Sequence, residues 1–344
     1  MTAPRGNLMP ALFTAAAVAL CGWYNVSRPS ILILHSYDPA YAWTRDVNIG
    51  LGRVLKQRYL YQLRWHYMDS KRHPAEPDKL RAGRAARDMI EASRPDVIIA
   101  IDDDAQHYVA RHYANDNRFK IVFAGVNRDL ADYGYERANN VTGILERMPL
   151  AAVREALLGA GNFAGLGRPI RLGFLGDRSD SVSGDAKQVR RFDWQPVRLT
   201  APRQVGTWPE WQADVLARGA GEDALLVAGY RHLRRSASDP SLVPPEEIVT
   251  WTEAHAPLPL ISCDIFYTED GGMLAIGTSP YEQGEVAAAR ALDILLRHRP
   301  LATLPMTLSH QFIVSMRGAR MQARHFVLPR VYEAAARTGN QYYP

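Results

Sequence analysis

Residues 31–43 read ILILHSYDPAYAW, four apolar residues followed at once by polar and aromatic ones. An apolar run without alternation is typical of a parallel strand that is buried on both faces of a sheet. The same pattern recurs along the chain, at Val97–Ile101, Ile121–Ala124, Ile170–Leu175, Ala224–Ala228, Leu258–Ile261 and Met273–Ile276. These runs predict a protein built on buried parallel strands.

Segments with helical character separate these runs. They lie at Asp46–Arg58, Asp78–Ala92, Ala105–Ala114, Leu150–Leu158, Trp208–Ala217, Pro245–Ala254 and Tyr281–Arg297. Leu63–Tyr67 alternates between apolar and polar residues and predicts a strand near a sheet edge. Strands that alternate with helices predict βαβ units with right-handed crossovers. One sheet of roughly nine strands would be large, so two smaller sheets are expected, with a seam near Asn139–Gly143.

Composition excludes several classes of protein. The chain has 344 residues, of which 47% are hydrophobic, so intrinsic disorder is excluded and about two domains are expected. Its two cysteines, Cys21 and Cys263, cannot form a disulfide framework. The net charge of +5 is not concentrated in any block of Lys and Arg, so we expect no nucleic-acid partner.

The N-terminal segment is apolar and distinct from the rest. Leu8–Val26 carries no charge and follows Arg5, and a polar, Pro-bearing break comes directly after it. This pattern is typical of a secretory signal, while nineteen residues also suffice to cross a bilayer as a helix. A third alternative is lipidation at Cys21, which follows Val-Ala-Leu. Residues 1–27 are therefore a signal peptide or a membrane anchor, and the rest of the chain is expected outside the cytoplasm.

Ligands of open parallel sheets bind at the carboxyl ends of the strands. The residues that follow each predicted strand are therefore the candidates for a binding site. Ser36 and Tyr37 are expected to contact a ligand carboxylate or hydroxyl, and Asp103 an ammonium group. The complete set of candidate binding residues is Ser36, Tyr37, Trp43, Asp103, Asn127, Tyr230, Asp264 and Tyr281. The last three would come from the opposite wall of the site.

Catalytic and metal-binding motifs are absent from the sequence. It contains no G-x-S-x-G, no G-x-x-x-x-G-K-[ST] and no H-E-x-x-H motif. Asp102–Asp104 has no His or Glu at metal-ligand spacing beside it, and its acids also suit the first turn of a helix. We therefore expect no metal, no cofactor and no enzymatic activity, and an enzyme that uses this Asp cluster is the least favoured alternative.

Several stretches resemble one family of proteins. They are Ile31–Trp43, Tyr67–Arg72, Pro95–Ala105, Ile121–Asn127, Asn140–Gly143, Gly277–Ala289 and Leu295–Pro305. Together they resemble the substrate-binding proteins of ABC transporters, in the branch that includes aromatic amino-acid binders and related sensor domains. The resemblance implies an α/β fold of two doubly wound parallel-sheet lobes, joined by three crossovers that form a hinge, with the ligand in a central cleft.

The resemblance also implies a division of the chain and a function. The first lobe is expected at residues 28–142 plus about 270–305, the second at 143–269 plus about 306–335, and a tail at 336–344. We expect an extracytoplasmic, monomeric protein that captures an amino acid or similar polar solute and delivers it to an ABC permease. Because no kinase or cyclase domain lies within the 344 residues, a free-standing binding protein is favoured. The alternative is a membrane-anchored ligand sensor that signals to a membrane kinase.

Overall fold

Two β-sheets organise the chain in the computed structural model, which describes residues 8–56, 59–219 and 221–344. The strands are, in chain order, β1 (Ser30–His35), β2 (Gln62–Tyr67), β3 (Val97–Ile101), β4 (Lys120–Val126), β5 (Val141–Leu145), β6 (Arg171–Asp177), β7 (Arg198–Leu199), β8 (Arg203–Val205), β9 (Ala224–Ala228), β10 (Leu260–Ser262), β11 (Leu274–Thr278), β12 (Thr307–Leu308), β13 (Phe312–Arg317) and β14 (Tyr342–Tyr343). Each apolar run singled out in the sequence forms one of these strands.

Helices connect the strands. They are α1 (Leu8–Ser27), α2 (Ala42–Val54), α3 (Glu76–Ser93), α4 (Asp103–Tyr108), α5 (Leu150–Gly159), α6 (Asp180–Arg191), α7 (Trp208–Leu216), α8 (Pro245–His255), α9 (Phe266–Glu269), α10 (Pro280–Leu295), α11 (Gly318–Ala323) and α12 (Arg330–Thr338). The helices expected from the sequence are present, although residues 57 and 58 of the predicted Asp46–Arg58 lie outside the described residues. The sequence prediction lacks α6, α9, α11 and α12.

The first sheet is parallel throughout, in the order β12-β5-β4-β3-β1-β2. Alternate residues of β1 point to opposite faces, as the two-residue period of a strand requires. Ile31 and Ile33 pack with α2 and α10, whereas Leu32 and Leu34 pack with α3 and α4. Because helices cover both faces, the strands are apolar on both, and this is the signature that the sequence shows.

The second sheet has the order β14-β13-β11-β10-β9-β6-β7, with β8 also pairing with β6. Of its pairings, β11 with β13 is antiparallel and the others are parallel. Phe174 faces the layer of α5, α6 and α12, and its neighbour Leu175 faces the layer of α7, α8 and α9. The expectation of two doubly wound α/β lobes is therefore confirmed.

The chain passes between the sheets three times, after β5, after β11 and after β12. The expected lobe boundaries differ from this topology. β5 keeps residues up to 145 in the first sheet, β11 lies in the second sheet, and β12 pairs with β5 in the first. β14 pairs with β13, so residues 342–343 do not belong to a tail. An apolar run predicts a strand but not which other strand pairs with it. Two-residue strands leave almost no pattern in the sequence. These two limits explain the errors in the expected lobe boundaries.

The N-terminal helix α1 projects from the first lobe. Among the described residues it alone is long and apolar enough to cross a membrane, and an N-terminal signal sequence has the same properties. Cys21 lies exposed on it, while residues 1–7, including Arg5, lie outside the described residues. The helix is attached to the lobe near its end, where the Tyr24 hydroxyl donates to the Tyr59 carbonyl at 2.9 Å and the Gln62 amide donates to the Asn25 carbonyl at 2.6 Å.

Candidate functional site

A small polar cavity of about 50 Å³ lies between the two lobes. Side chains that follow strands of the first sheet form one wall, and the second lobe forms the other. The first wall consists of Tyr37, Tyr41, Trp43, Lys71, Asp102, Asn127 and Glu146, and the second of Ser181, Val182, Asp185, Gly229, Arg231, Asp264 and Phe266. The carboxyl ends of both sheets thus face each other across this space, as the strand-end rule requires.

Asp102 holds an unusual backbone conformation in the first wall. Its φ of 68° and ψ of 166° lie in a region that is favourable almost only for glycine and costs roughly 1–3 kcal/mol for other residues. Gly125, itself at φ 65°, makes room for it, because a Cβ there would lie 2.7 Å from Asp102 Oδ1. The indole N–H of Trp43 donates to the same Oδ1 at 2.9 Å. This arrangement directs the carboxyl group of Asp102 into the cavity.

One oxygen of Asp102 has no hydrogen-bond partner. The side chain is almost fully buried, with 4% of its surface exposed, and Oδ2 is unpaired among the described residues. Asn127 is similar, since its amide nitrogen donates to Glu146 at 3.1 Å while its Oδ1 is unpaired. Buried acceptors without donors are rare in folded proteins, because an unmade hydrogen bond costs about 1–3 kcal/mol. Both atoms are therefore available to accept a hydrogen bond from a bound molecule.

The second wall presents groups that residues behind it hold in place. The backbone N–H of Gly229 donates to Asp264 at 2.8 Å, and Arg231 pairs with Asp270 at 2.5 Å. The guanidinium group of Arg231 also lies 4.5 Å from the centre of the Phe266 ring. Its Nε is buried and unpaired among the described residues, so this wall offers a donor that requires an acceptor.

Lys71 lies against the aromatic part of the first wall. Its ammonium group is 4.8 Å from the centre of the Tyr37 ring and 5.2 Å from that of Tyr41, distances at which a cation is attracted to a ring face. Burial opposes the charge, but the Tyr41 hydroxyl and the carboxylates of Asp177 and Asp264 raise the pKa of Lys71 above its ordinary value. Lys71 therefore stays positively charged in the cavity.

Burial raises the pKa of every carboxyl group that lines the cavity. For Asp102 the second cause is the adjacent Asp103, and for Glu146 it is Asp102. Asp264 and Glu146 raise the pKa of Asp185 further. The pKa of Asp264 is also raised, although the Gly229 N–H, Lys71 and Arg231 oppose the shift. The cavity without a ligand is therefore an unfavourable place for these negative charges.

The lobes touch on both sides of the cavity. Arg45 pairs with Glu269 at 3.0 Å and Arg128 with Asp180 at 2.8 Å, each pair joining the two lobes. The rings of Tyr41 and Phe266 approach to 5.8 Å between centres, also across the gap. α6 comes so close to the first lobe that a Cβ on Gly184 would lie 3.2 Å from the Cβ of Asn127. The structure is thus a closed arrangement.

The structure places four of the eight candidate residues in the cavity, namely Tyr37, Trp43, Asn127 and Asp264. The other four do not line it. Ser36 is fully buried, where its hydroxyl donates to the Ile101 carbonyl at 2.9 Å and accepts from the Ala105 N–H at 2.8 Å. Asp103 accepts from the Tyr133 hydroxyl at 2.7 Å, behind the wall.

The two remaining tyrosines also lie elsewhere. Tyr230 is fully buried and its hydroxyl donates to Asp270, so the next residue, Arg231, faces the cavity in its place. Tyr281 lies at the start of α10, where the guanidinium group of Arg53 covers its ring at 4.6 Å. Tyr230 packs with Phe266 and Tyr267 in the second lobe. Tyr281 lies on α10, which packs against α2 of the first lobe, so it does not belong to the second wall as expected.

Sequence reasoning missed most of the charged residues of the cavity. Lys71 follows β2, which pairs with β1, and Glu146 follows β5, so both occupy strand ends that the strand-end rule covers. Asp185 lies on α6, whose buried Val182, Ala186 and Val189 have helical spacing that the prediction did not use. Metal binding gains no support, because no three His, Cys, Asp or Glu side chains converge as a metal requires within the described ranges.

Comparison with known proteins identifies the architecture. No protein-family profile and no curated protein matches the chain. A conserved domain protein from Vibrio cholerae is 14% identical, with a TM-score of 0.64 over 90% of this chain and 98% of that one. An ABC domain in complex with L-Trp from Streptococcus pneumonia is 13% identical, with a TM-score of 0.64 over 89% of this chain and 98% of that one.

A third similar structure has no ligand. It is the open form of a substrate-binding protein with adhesive properties from Clostridium difficile, 15% identical, with a TM-score of 0.61 over 88% of this chain and 96% of that one. At these identities the comparison establishes the fold and leaves the ligand open. Together with the two sheets, the three crossings and the cavity between them, these similarities show that the chain has the type I periplasmic-binding fold.

Proposed function

We propose that the protein captures an amino acid or a similar small polar solute by closing its two lobes around it. The observation that carries this proposal is a complementary pair of unpaired buried groups. Asp102 Oδ2 in the first wall lacks a donor, and Arg231 Nε in the second wall lacks an acceptor. A ligand with an ammonium group at one end and a carboxylate at the other satisfies both.

The first wall suits the ammonium end. Asp102 supplies a carboxylate oxygen and Asn127 an amide oxygen, and both need donors. The ring of Trp43 lines the same wall and favours a cation over its face. Charge-assisted hydrogen bonds of this type are stronger than neutral ones, so the ammonium group is the chief anchor.

The carboxylate end suits Arg231 and Lys71. Asp270 occupies one side of the Arg231 guanidinium, and Nε remains for the ligand. Lys71 adds a positive charge from the opposite lobe. Because the two cations belong to different lobes, a carboxylate between them stabilises the closed form relative to the open one, which is the requirement for ligand-driven closure.

The route after capture is the finer part of the proposal. We infer delivery of the solute to an ABC permease by an extracytoplasmic protein, with residues 1–27 as a signal peptide or, through Cys21, a lipid anchor. One observation favours a second candidate, an anchored sensor of a membrane kinase. α1 is hydrogen-bonded to the lobe through Tyr24 and Asn25, so an uncleaved helix would connect the lobe directly to the membrane. The mass of the mature protein decides, because the sensor retains residues 1–26 and an exported protein begins near residue 20.

Binding without turnover fits the Asp cluster. An enzyme that uses Asp102 and Asp103 together needs both carboxyl groups in the cavity. Only Asp102 lines it, while Asp103 is hydrogen-bonded to Tyr133 and to the backbone N–H of Arg128. Asp104 is paired with Lys79 at 3.1 Å. The three acids thus have separate structural environments.

The test is titration calorimetry with amino acids, supported by a thermal-shift screen. A ligand at about 100 times its dissociation constant raises the free energy of unfolding by roughly 2.7 kcal/mol, which a screen detects readily. We expect binding to need both the free amino and the free carboxyl group of the ligand. Asp102→Asn should weaken it about 100-fold, whereas Asp132→Asn, at an exposed position outside the cavity, should not. Equal losses in the two variants would refute the site.

A further inference from the structure

Acidic side chains outnumber basic ones among the residues that line the cavity. Four carboxyl groups face it, those of Asp102, Glu146, Asp185 and Asp264, against two cations, Lys71 and Arg231. Arg231 is already paired with Asp270. None of the four carboxyl groups forms an ion pair with another described residue. They also take no part in the two ion pairs that join the lobes at the rim of the cavity, Arg45–Glu269 and Arg128–Asp180. A zwitterionic ligand adds no net charge and therefore leaves the imbalance as it is.

The surplus acids come from both lobes. Glu146 follows β5 in the first lobe, Asp185 lies on α6 in the second, and Asp264 follows β10. They are near enough for Asp264 and Glu146 to raise the pKa of Asp185, in addition to the effect of burial. Asp102, at the proposed ammonium position, has an unpaired oxygen in the same cavity. These carboxyl groups therefore surround the space in which the rest of the ligand must lie.

A metal ion and a proton shared between two of these acids both lack support as their partners. A metal ion needs several converging ligands, and within residues 8–56, 59–219 and 221–344 no three His, Cys, Asp or Glu side chains converge in this way. Shared protons would produce hydrogen bonds between carboxyl groups. Glu146 instead accepts from the amide of Asn127, and Asp264 accepts from the N–H of Gly229. Both acids retain acceptor capacity toward the cavity.

We propose that the ligand is a cationic amino acid, whose side chain carries a second positive charge among Glu146, Asp185 and Asp264. This inference rests on the proposed function, since it places the α-ammonium group at Asp102 and the carboxylate at Arg231 and Lys71. It adds that the second charge contacts both lobes at once. In the empty protein burial and mutual repulsion favour the protonated forms of these acids, and the bound cation favours their ionised forms as the lobes close.

Matched ligands test this inference on the unaltered protein. L-lysine and L-norleucine differ chiefly in the terminal ammonium group, and L-arginine and L-citrulline differ chiefly in charge. We expect each cationic member to bind at least 100-fold more tightly than its neutral partner. Calorimetry in buffers of different ionisation enthalpy should also show that L-lysine releases more protons than L-norleucine, because the cation displaces protons from the half-buried acids of the cavity.

Variants locate the second charge. Asp185→Asn should reduce the ratio of L-lysine to L-norleucine affinity about 10-fold, and Glu146→Gln should reduce it similarly, whereas Asp132→Asn should leave it unchanged. Equal affinity for L-lysine and L-norleucine in the unaltered protein would refute a subsite for the second charge and would leave the proposed amino-acid site standing. A ratio that neither Asp185→Asn nor Glu146→Gln changes would also overturn it. If no amino acid of either class binds, the proposed function fails first.

Discussion

The two walls of the cavity are built differently. In the first wall the polar side chains are hydrogen-bonded to one another, Trp43 to Asp102 and Asn127 to Glu146. In the second wall Arg231 is held from behind by Asp270, and Asp185 comes from a helix and forms no ion pair with any described residue. The first wall is thus a preassembled unit, in which one substitution disturbs several groups. The second consists of separate side chains that reach a ligand only after closure.

The largest effect is expected where the walls touch. Gly184 lets α6 approach Asn127 so closely that a Leu side chain would hold the lobes apart. Gly184→Leu should lower ligand affinity at least 100-fold without loss of stability, because each lobe keeps its own core. Small-angle scattering should show no compaction when ligand is added.

Gly52→Leu is the matched control for this substitution. Gly52 lies on α2 with open space around it, so the same change in a helix of the first lobe meets no obstacle. It should leave affinity and compaction unchanged. Ligand-induced compaction of the Gly184→Leu protein equal to that of the control would show that closure does not need this contact.

The next effect tests whether the first wall acts as a unit. Trp43→Phe keeps an aromatic ring but removes the N–H that holds Asp102 Oδ1. Both oxygens of a buried carboxyl group then lack side-chain donors, so affinity should fall about 30-fold, or about 2 kcal/mol. Trp251→Phe, on α8 outside the cavity, should have no such effect in the same calorimetric titration. A loss confined to the unfolding temperature would mean that Trp43 only packs.

Asp103 tests whether a carboxyl group behind the first wall affects stability without affecting ligand binding. Burial raises the pKa of Asp103 to about 6, above the ordinary value of 3.8. The folded state therefore takes up a proton as the pH falls, and this carboxyl group adds about 1 kcal/mol to the free energy of unfolding between pH 7.5 and pH 5.

Asp103→Asn should remove that gain. Urea unfolding of both proteins at the two pH values gives the measurement, since the free energy of unfolding should rise less between pH 7.5 and pH 5 in the variant than in the unaltered protein. The difference isolates this group from the other buried acids. Ligand affinity at pH 7.5 should stay within a few-fold, because Asp103 does not line the cavity. A loss of affinity as large as that of Asp102→Asn would place Asp103 in the site after all.

The strand pattern predicted the fold because burial on both faces leaves an unmistakable apolar run. The same logic located the cavity at the strand ends, and it reached Tyr37, Trp43, Asn127 and Asp264. Applied to β2 and β5 as well, it would have reached Lys71 and Glu146. This part of the cavity lining was therefore available from the sequence.

Neighbouring residues of the same type show what the sequence does not contain. Asp102 and Asp103 are chemically equivalent and adjacent, and only the backbone turn at φ 68° directs the first into the cavity and the second behind it. Tyr230 and Arg231 differ in the same way, since the hydrogen bond of Tyr230 to Asp270 leaves Arg231 to line the cavity. Such choices depend on tertiary contacts, such as the room that Gly125 leaves for Asp102, and no local pattern encodes them.

The smallest effect is expected from the exposed ion pairs, where a pair that joins the lobes is compared with a pair inside one lobe. Arg45–Glu269 joins the lobes at 3.0 Å, and Arg53–Glu285 lies within the first lobe at 2.8 Å with similar exposure. Exposed ion pairs contribute about 0.2–1 kcal/mol, so Glu269→Gln and Glu285→Gln should each change the free energy of unfolding little. Only Glu269→Gln should weaken ligand binding, by about two- to fivefold and less at high salt, because only that pair forms when the lobes close. Calorimetry at two salt concentrations measures this difference, and equal affinities in both variants would show that the closed form is stabilised by the ligand and the walls alone.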